Sequence, residues 1–186
     1  RITIALSVDV ATLVGRSTAR PERTRSQPHQ IEVDPVRATF GTWYELFPRP
    51  WGGFDGVTRE LPRFAELGVD VLYLPPIHPI GVTHRKGANN TLTAGPSDPG
   101  SPWAIGAAQG GHEAFNPLLG TPKQFSTMVQ AARRHDIDIA LDLALQCSPD
   151  HPWLAEHPEW FSRRPDGTLK YAENPPKKYQ DIYNLD

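Results

Sequence analysis

Several features are scarce in this chain of 186 residues, and each scarcity excludes a class of protein. The single cysteine, Cys147, cannot form an internal disulfide bond, which favours a reducing compartment, so we expect a cytoplasmic protein. No apolar run approaches the ~20 residues that cross a bilayer, so we expect no membrane partner. The net charge is only −2, from 19 basic and 21 acidic residues, which gives no support for a nucleic-acid partner.

Proline and glycine, by contrast, are abundant. The chain has 20 prolines and 15 glycines, and they concentrate after strand-like runs. This distribution predicts long, shaped, functional loops on a regular scaffold. The longest of these loops, at residues 77–120, contains several histidines, asparagines and basic residues, which favours a functional role for it.

The first 30 residues differ from the rest. Residues 1–15 have the pattern of a strand or of the end of an upstream element. Residues 16–30 (RSTARPERTRSQPHQ) are arginine-rich and almost free of large apolar side chains, which is typical of a connector. We therefore predict that residues 1–30 are a linker or the tail of an upstream domain, and that the globular part spans residues 31–186.

Three segments have the composition of strands. They lie at residues 40–47 (FGTWYELF), 69–74 (VDVLYL) and 137–145 (IDIALDLAL), and the third is predicted to be a buried parallel strand. Asp142 lies inside this third apolar run and a polar loop follows it, which is the layout of an active site in an α/β enzyme. An aspartate that only orders the following turn explains the pattern equally well.

Two helices are predicted between these strands. One includes Leu61, carries Pro62 in its first turn and ends at Gly68. The other starts at a capping box at residues 121–124 (TPKQ). Strands that alternate with helices indicate βαβ units and a parallel sheet. Because a closed (β/α)8 TIM barrel needs ~250 residues, this α/β chain could supply only the opening part of one, with its first three strands, two helices and long βα loops.

Short motifs for other chemistries are not supported. His78 and His84 have an irregular spacing with no cysteine beside them, which does not fit a metal site. The glycines form no phosphate-binding loop, and neither a GxSxG elbow nor a Ser/His/Asp order is found. We expect no metal and no cofactor.

Whole segments of the chain resemble one family. They are YLPPIHPIG (73–81), HRKGANNT (84–91), PWAIG (102–106), GGHEAFNPLLGT (110–121), ALDLALQCSPDHPW (140–153) and ENPPKKYQDIY (173–183). These segments are similar to the α-1,4-glucan:maltose-1-phosphate maltosyltransferases, which belong to the α-amylase clan of retaining barrel enzymes. The resemblance covers about residues 38–186.

One departure from the clan sharpens this resemblance. The third strand of clan members usually ends in D-x-x-x-N-H, and the matching positions here are Asp142, Gln146 and Cys147. The maltosyltransferase subgroup carries the same Gln-Cys variant. The resemblance also implies that residues 31–186 are the N-terminal portion of the catalytic barrel and include the start of the insertion that follows strand 3.

The resemblance implies an activity and two substrates. The family transfers maltosyl units from α-maltose 1-phosphate to the non-reducing end of α-1,4-glucans by a retaining double displacement. A homodimer of the full-length enzyme is compatible with it. The alternatives are a hydrolase or trehalose-forming relative from the same clan, or an inactive truncated fragment that binds carbohydrate. The ENPPKKYQD segment argues against a hydrolase, which has no use for a lysine that holds phosphate.

The resemblance also implies roles for individual residues. The maltosyl group is expected to contact Lys86, Gln146 and Asp181. The phosphate is expected to contact Asn174, Lys177 and Tyr179, and Asp142 and His112 are expected to support the site. These side chains have the donors and acceptors that hydroxyls and phosphate require. Without the resemblance, each has an ordinary structural explanation, such as solvated lysines, a packed tyrosine or histidine, or a side chain that caps a turn.

The primary catalytic groups are not expected in this chain. Retaining glycosyl transfer needs two carboxyl groups about 5–5.5 Å apart. The clan carries them on later strands, the nucleophile in an R-x-D-type motif, so we expect both to lie beyond Asp186. We therefore expect the isolated chain to be inactive.

Overall fold

The computed structural model of the chain describes residues 7–17, 24 and 26–186. They fall into two units, residues 1–34 and residues 35–186. In the first unit, α1 (Val8–Ser17) is a helix with Asp9 in its first turn and Arg16 in its last, an order of charges that favours a helix. The strand considered for residues 1–15 is therefore wrong over this stretch. Residues 1–6, 18–23 and 25 of this predicted linker or tail lie outside the described part.

A three-stranded parallel sheet forms the centre of the second unit. Its strands, in spatial order, are β1 (Trp43–Glu45), β2 (Val71–Leu74) and β3 (Asp138–Leu141). A short helix, α2 (Val36–Thr39), precedes β1; α3 (Gly53–Glu66) connects β1 to β2, and α4 (Pro122–Arg134) lies between β2 and β3. The predicted parallel sheet with alternating strands and helices is confirmed.

The hydrophobic core lies where α3 and α4 pack against β2. Phe54 and Leu61 of α3, Leu72 of β2 and Met128 of α4 all have 0% exposure. Burying each such side chain contributes roughly 1.5–3 kcal/mol. This core holds β2 rigidly, and therefore also the start of the long loop that follows it.

Helix α3 corrects one prediction. Pro62 lies in the helix interior, because α3 begins at Gly53 rather than near Leu61. Phe54, Val57 and Leu61 are all buried and lie on one helical face, so the apolar stripe extends upstream through a stretch that glycines disguise as a loop. Packing of this stripe outweighs the backbone hydrogen bond that an interior proline removes.

The capping box that starts α4 is confirmed. The backbone N–H of Gln124 donates to Thr121 Oγ1 at 3.3 Å, and the backbone N–H of Thr121 donates to Gln124 Oε1 at 2.8 Å.

Strand β3 is shorter and more exposed than predicted. Leu141 is 46% exposed, and Leu143, beyond the strand end, is 78% exposed. Among the described residues β3 pairs only with β2, so it is an edge strand. An apolar run of this kind indicates burial in a complete sheet, and the described residues supply no further layer to cover it.

A second sheet follows β3 and was not predicted from the sequence. It is antiparallel, with the spatial order β4 (Gln146–Cys147), β6 (Lys177–Asn184), β5 (Tyr171–Asn174). One turn of helix, α5 (Trp153–Glu156), lies between β4 and β5. Within the described residues, no helix combines the length and the apolar character that crossing a bilayer requires.

Candidate substrate-binding site

A pocket of about 350 Å³ lies between the loop after β2 and strand β6. Three of the six residues predicted to bind substrate line it: Lys86, Tyr179 and Asp181. The remaining lining residues are Gly87, Ala88, Asn90, Asp98, Pro99, Gly100 and Ser101. The structure therefore brings together residues that lie more than 90 positions apart in the sequence.

The loop that carries Lys86 is anchored by Asp150. The carboxylate of Asp150 accepts hydrogen bonds from the backbone N–H groups of Val82 at 2.6 Å and Thr83 at 2.8 Å, and from the Thr83 hydroxyl at 2.5 Å. Burial alone would raise the pKa of Asp150, but these hydrogen bonds outweigh it and lower the pKa. The ionised carboxylate fixes the loop just ahead of Lys86.

Lys86 is a nearly buried cation, with 7% exposure. Its ammonium donates to the backbone carbonyl of Lys178 at 3.3 Å and to the side-chain oxygen of Gln180. No carboxylate among the described residues lies within 4.0 Å of it as an ion-pair partner. The positive charge is thus held by neutral oxygens.

Asp181 is a buried carboxylate with unused hydrogen-bonding capacity. It is 2% exposed, and its Oδ1 accepts no hydrogen bond from the described residues. Burial raises the pKa of Asp181, while its own backbone N–H and the positive charge of Lys86 act in the opposite direction. A buried acceptor without a donor destabilises the fold by roughly 1–3 kcal/mol, so this group is suited to receive the hydroxyl groups of a ligand.

The β5–β6 hairpin carries the three residues predicted to hold phosphate. Asn174 pairs with Lys177 next to the turn of Pro175 and Pro176, and both side chains are exposed. Tyr179 lies two residues further along β6, so alternation puts it on the same face as Lys177. These three residues therefore extend along one face of the hairpin from its tip to the pocket.

Gln146 is not brought into the pocket. It lies half-buried on β4 and pairs with Asn184, three residues along β6 from Asp181. The structure thus places it on the neighbouring strand of the same sheet, but not among the residues that line the cavity.

The two residues predicted to support the site have clear structural partners. The carboxylate of Asp142 accepts a hydrogen bond from the indole N–H of Trp103 at 2.8 Å, which attaches the long loop to the end of β3. His112 lies parallel to the Trp153 ring, with centroids 4.8 Å apart and planes 8° apart. Its Nε2 lies 2.8 Å from the carbonyl of Ala144, which directly precedes the Leu145–Gln146 segment.

The hydrogen bonds around His112 define the proton positions. The Ala144 carbonyl can only accept, so His112 carries its proton on Nε2 and its Nδ1 accepts. Nδ1 lies 3.0 Å from Nε2 of His151, which must therefore donate, and Nδ1 of His151 accepts the Trp153 backbone N–H at 3.1 Å. Both imidazoles are neutral in this arrangement. Burial, and to a smaller extent the proximity of His112, lowers the pKa of His151 to about 4. This low pKa agrees with a neutral His151.

Cys147 completes a compact His/Cys cluster with His112 and His151. One potential ligand atom of each lies within 4.8 Å of the others. A metal on His151 Nε2 would require a proton on His151 Nδ1, where the Trp153 N–H already donates. Burial also raises the pKa of the Cys147 thiol to about 12, far from the thiolate that metals bind. The donor set fits a neutral hydrogen-bonded network better than a metal centre.

Two Arg-x-Asp triplets occur in the chain, at residues 134–136 and 164–166. Asp136 follows α4 and pairs with Arg37 at 2.8 Å, and Asp166 lies in an exposed turn where it accepts the Thr168 N–H at 2.9 Å. Neither follows a strand of the parallel sheet, so neither lies where the resemblance places the nucleophile.

Gln180 was not among the residues predicted from the sequence to belong to the site. It lies between Tyr179 and Asp181 in the ENPPKKYQD segment, which was the only signal available, and its contact with Lys86 becomes visible only in the fold.

Comparison with family models found no match. The chain is 53% identical over 193 residues to the α-1,4-glucan:maltose-1-phosphate maltosyltransferase of Pseudomonas aeruginosa, an alignment that covers 100% of this chain and 29% of that protein. It is 55% identical over 192 residues to the enzyme of the same name from Mycolicibacterium smegmatis, covering 97% of this chain and 28% of that protein.

Among solved structures, α-amylases have a similar fold. An α-amylase from Lactobacillus plantarum matches 78% of this chain and 32% of its own, with a TM-score of 0.64 and 35% identity. The α/β fold of this chain is thus similar to the part of that α-amylase which it matches. The resemblance predicted from the sequence segments is confirmed, and the chain spans less than a third of the length of the curated relatives it matches.

Proposed function

Because the chain matches part of the α-1,4-glucan:maltose-1-phosphate maltosyltransferases along its whole length, we propose that it forms the donor-binding region of such an enzyme. The observation that carries this proposal is the pocket in which buried Lys86 and Asp181 meet Tyr179. The substrates are α-maltose 1-phosphate as donor and an α-1,4-glucan as acceptor.

The fold and the domain division follow from the same proposal. The parallel strands β1, β2 and β3 are the first three strands of a (β/α)8 barrel, which is supported by the exposed Leu141 of β3 and Leu143 just beyond it, since a complete barrel would cover both. The sheet of β4, β5 and β6 is the start of the insertion after strand 3. Residues 1–30 are a linker or the tail of an upstream domain. The buried free thiol of Cys147 fits a reducing compartment such as the cytoplasm.

The reaction is a double displacement at C1 of the reducing-end glucose of the donor. An enzyme carboxylate forms a bond to C1 while the bond between C1 and the phosphate oxygen breaks, and the acid/base carboxyl group gives its proton to the phosphate, which leaves with the electron pair. The 4-hydroxyl of the acceptor then attacks C1, loses its proton to the acid/base carboxyl group, and releases the enzyme carboxylate. Two inversions preserve the α configuration. We place both carboxyl groups outside this chain, which is therefore inactive alone.

Residues of this chain bind and orient the donor. Lys86 and Asp181 supply a donor and an acceptor to sugar hydroxyls, and Gln146, on the adjacent β4 but outside the cavity lining, supplies a further amide to the maltosyl group. Lys177, Asn174 and Tyr179 neutralise and hydrogen-bond the phosphate along one hairpin face, where negative charge develops as the bond to C1 breaks. Asp142 and His112 support the site through their contacts with Trp103 and with the Ala144 carbonyl.

Lys177 provides the test, because the neighbouring Lys178 is a matched control. Lys178 pairs with Glu173 on the opposite face of the hairpin, whereas Lys177 shares its face with Tyr179. We expect Lys177→Ala to weaken binding of α-maltose 1-phosphate about tenfold, since a charge-assisted hydrogen bond is worth ~1.5–3 kcal/mol and this side chain is exposed. Maltose, which has no phosphate, should bind the wild type and Lys177→Ala with equal affinity.

Isothermal titration of the wild-type chain, Lys177→Ala and Lys178→Ala with both sugars measures this. Equal losses in the two lysine variants would contradict a specific phosphate site. A wild-type chain that binds maltose and its phosphate with equal affinity would favour the hydrolase relative.

A further inference from the structure

Gln180 contacts Lys86, but the proposed function gives Gln180 no role. Gln180 lies on β6 and Lys86 on the loop after β2, 94 positions apart in the chain. Lysine can only donate, so the amide of Gln180 must present its oxygen to the ammonium. This fixes the rotamer of the glutamine as well as the position of the lysine.

The type of acceptor matters for what Lys86 can bind. A buried ammonium needs hydrogen-bond acceptors, and it has three N–H donors. Two of them are used by neutral oxygens, from the Lys178 backbone and the Gln180 side chain. Neutral acceptors satisfy the cation without cancelling its charge, whereas a paired carboxylate would compete with a ligand. One N–H therefore remains for a ligand oxygen.

Fixing the lysine in advance also has an energetic consequence. A free lysine side chain has roughly 2 kcal/mol of rotamer entropy, which binding would otherwise have to overcome. The anchored loop brings the lysine backbone to the pocket, but in the described part of the chain only Gln180 and the Lys178 carbonyl hold the ammonium itself. Of these two, only Gln180 can be altered by substitution of a side chain.

We propose that Gln180 is a positioning residue for donor binding: its Oε1 holds the ammonium of Lys86 so that the remaining N–H meets a hydroxyl of the maltosyl group. This inference rests on the proposed function and adds a residue to it. Gln180 acts through Lys86, so its effect on affinity depends on the presence of that lysine.

A double-mutant cycle tests this dependence. Gln180→Ala should weaken binding of α-maltose 1-phosphate about fivefold, the equivalent of one net hydrogen bond. In a Lys86→Met background the same substitution should change the affinity less than twofold. A structural role for Gln180 would instead lower the affinity equally in both backgrounds, which would overturn the proposal. Gln130→Ala, on the exposed face of α4, is the matched control.

Chemical modification gives a readout that needs no ligand. Reductive methylation followed by peptide mass spectrometry should show slow modification of Lys86 in the wild type, several-fold faster modification in Gln180→Ala, and slow modification in Gln180→Glu, which keeps an acceptor of the same length. The exposed Lys177 serves as the internal reference in each sample.

The two readouts separate the possible failures. If the wild type binds the sugar phosphate but Gln180→Ala changes neither affinity nor Lys86 modification, the positioning role is wrong and the proposed function stands. If Gln180→Ala accelerates modification while no form binds the sugar phosphate, the proposed function is wrong, and with it the role of the contact in donor binding.

Discussion

Asp181→Asn is expected to weaken binding of α-maltose 1-phosphate by roughly 30- to 100-fold, because hydrogen bonds to a charged, buried acceptor are worth ~1.5–3 kcal/mol and the amide loses that charge. The same substitution should stabilise the fold at pH 7 by about 1 kcal/mol, since it removes a desolvated carboxylate that lacks a full set of donors. A binding loss combined with a stability gain is characteristic of a residue retained for its ligand.

The stability gain should depend on pH in a defined direction. Burial raises the pKa of Asp181 in the folded chain above the ordinary value of 3.8. A raised carboxyl pKa favours the folded state below the ordinary pKa, and this contribution is lost as the pH rises through the raised value. Relative to Asp181→Asn, the wild type should therefore become less stable as the pH increases from 3 to 7.

Calorimetric titration and urea unfolding at several pH values measure both effects. Asp166→Asn is the control, because Asp166 lies in an exposed turn away from the pocket, and it should leave the affinity unchanged. An Asp181→Asn chain that binds normally, or that is less stable than wild type at pH 7, would contradict the role assigned to this carboxylate.

Acidification should lower the free energy of unfolding through the protonation of His151. The pKa of His151 is lowered from 6.5 to about 4 in the folded chain, so the unfolded state binds one more proton between these values. A lowered pKa contributes stability that is present above pH 6.5 and is lost as the pH falls to about 4. At ~1.4 kcal/mol per pH unit, the free energy of unfolding should fall by roughly 3 kcal/mol over this window. Burial lowers the pKa of His78 as well, which adds to the slope.

His151→Asn isolates this contribution, because an asparagine oxygen can still accept the Trp153 N–H. The variant should show a shallower decline in the free energy of unfolding between pH 6.5 and 4 than the wild type. His135→Asn, which replaces an exposed histidine at the end of α4, should keep the wild-type slope. Identical slopes for wild type and His151→Asn would show that His151 is not held neutral by burial.

The strands and helices could be predicted from the sequence where local signals were strong. The capping box at Thr121 and the β-branched run of β2 gave α4 and β2 close to their observed bounds. The start of α3 was missed because its apolar stripe begins among glycines. The burial of β3 was overestimated because an apolar run reports the environment of a complete sheet, and β3 is an edge strand among the described residues.

The candidate site, too, could be predicted from the sequence only in part. Lys86, Tyr179 and Asp181 could be named from segments that resemble a family, and the fold brings them to one pocket. The contacts that set their chemistry could not be predicted. Asp181 is buried, and Gln180 accepts a hydrogen bond from Lys86, because β6 packs against the loop after β2, some 90 positions earlier in the chain. No local sequence pattern predicts this long-range contact.

The most direct test of the central claim is a phosphorus NMR titration of α-maltose 1-phosphate with the 186-residue chain in the presence of an α-1,4-glucan acceptor. A donor-binding region without the catalytic carboxyl groups should broaden or shift the sugar-phosphate resonance, while no inorganic phosphate signal appears. An unchanged resonance would contradict the donor pocket, and the appearance of inorganic phosphate would show that the catalytic carboxyl groups lie within this chain.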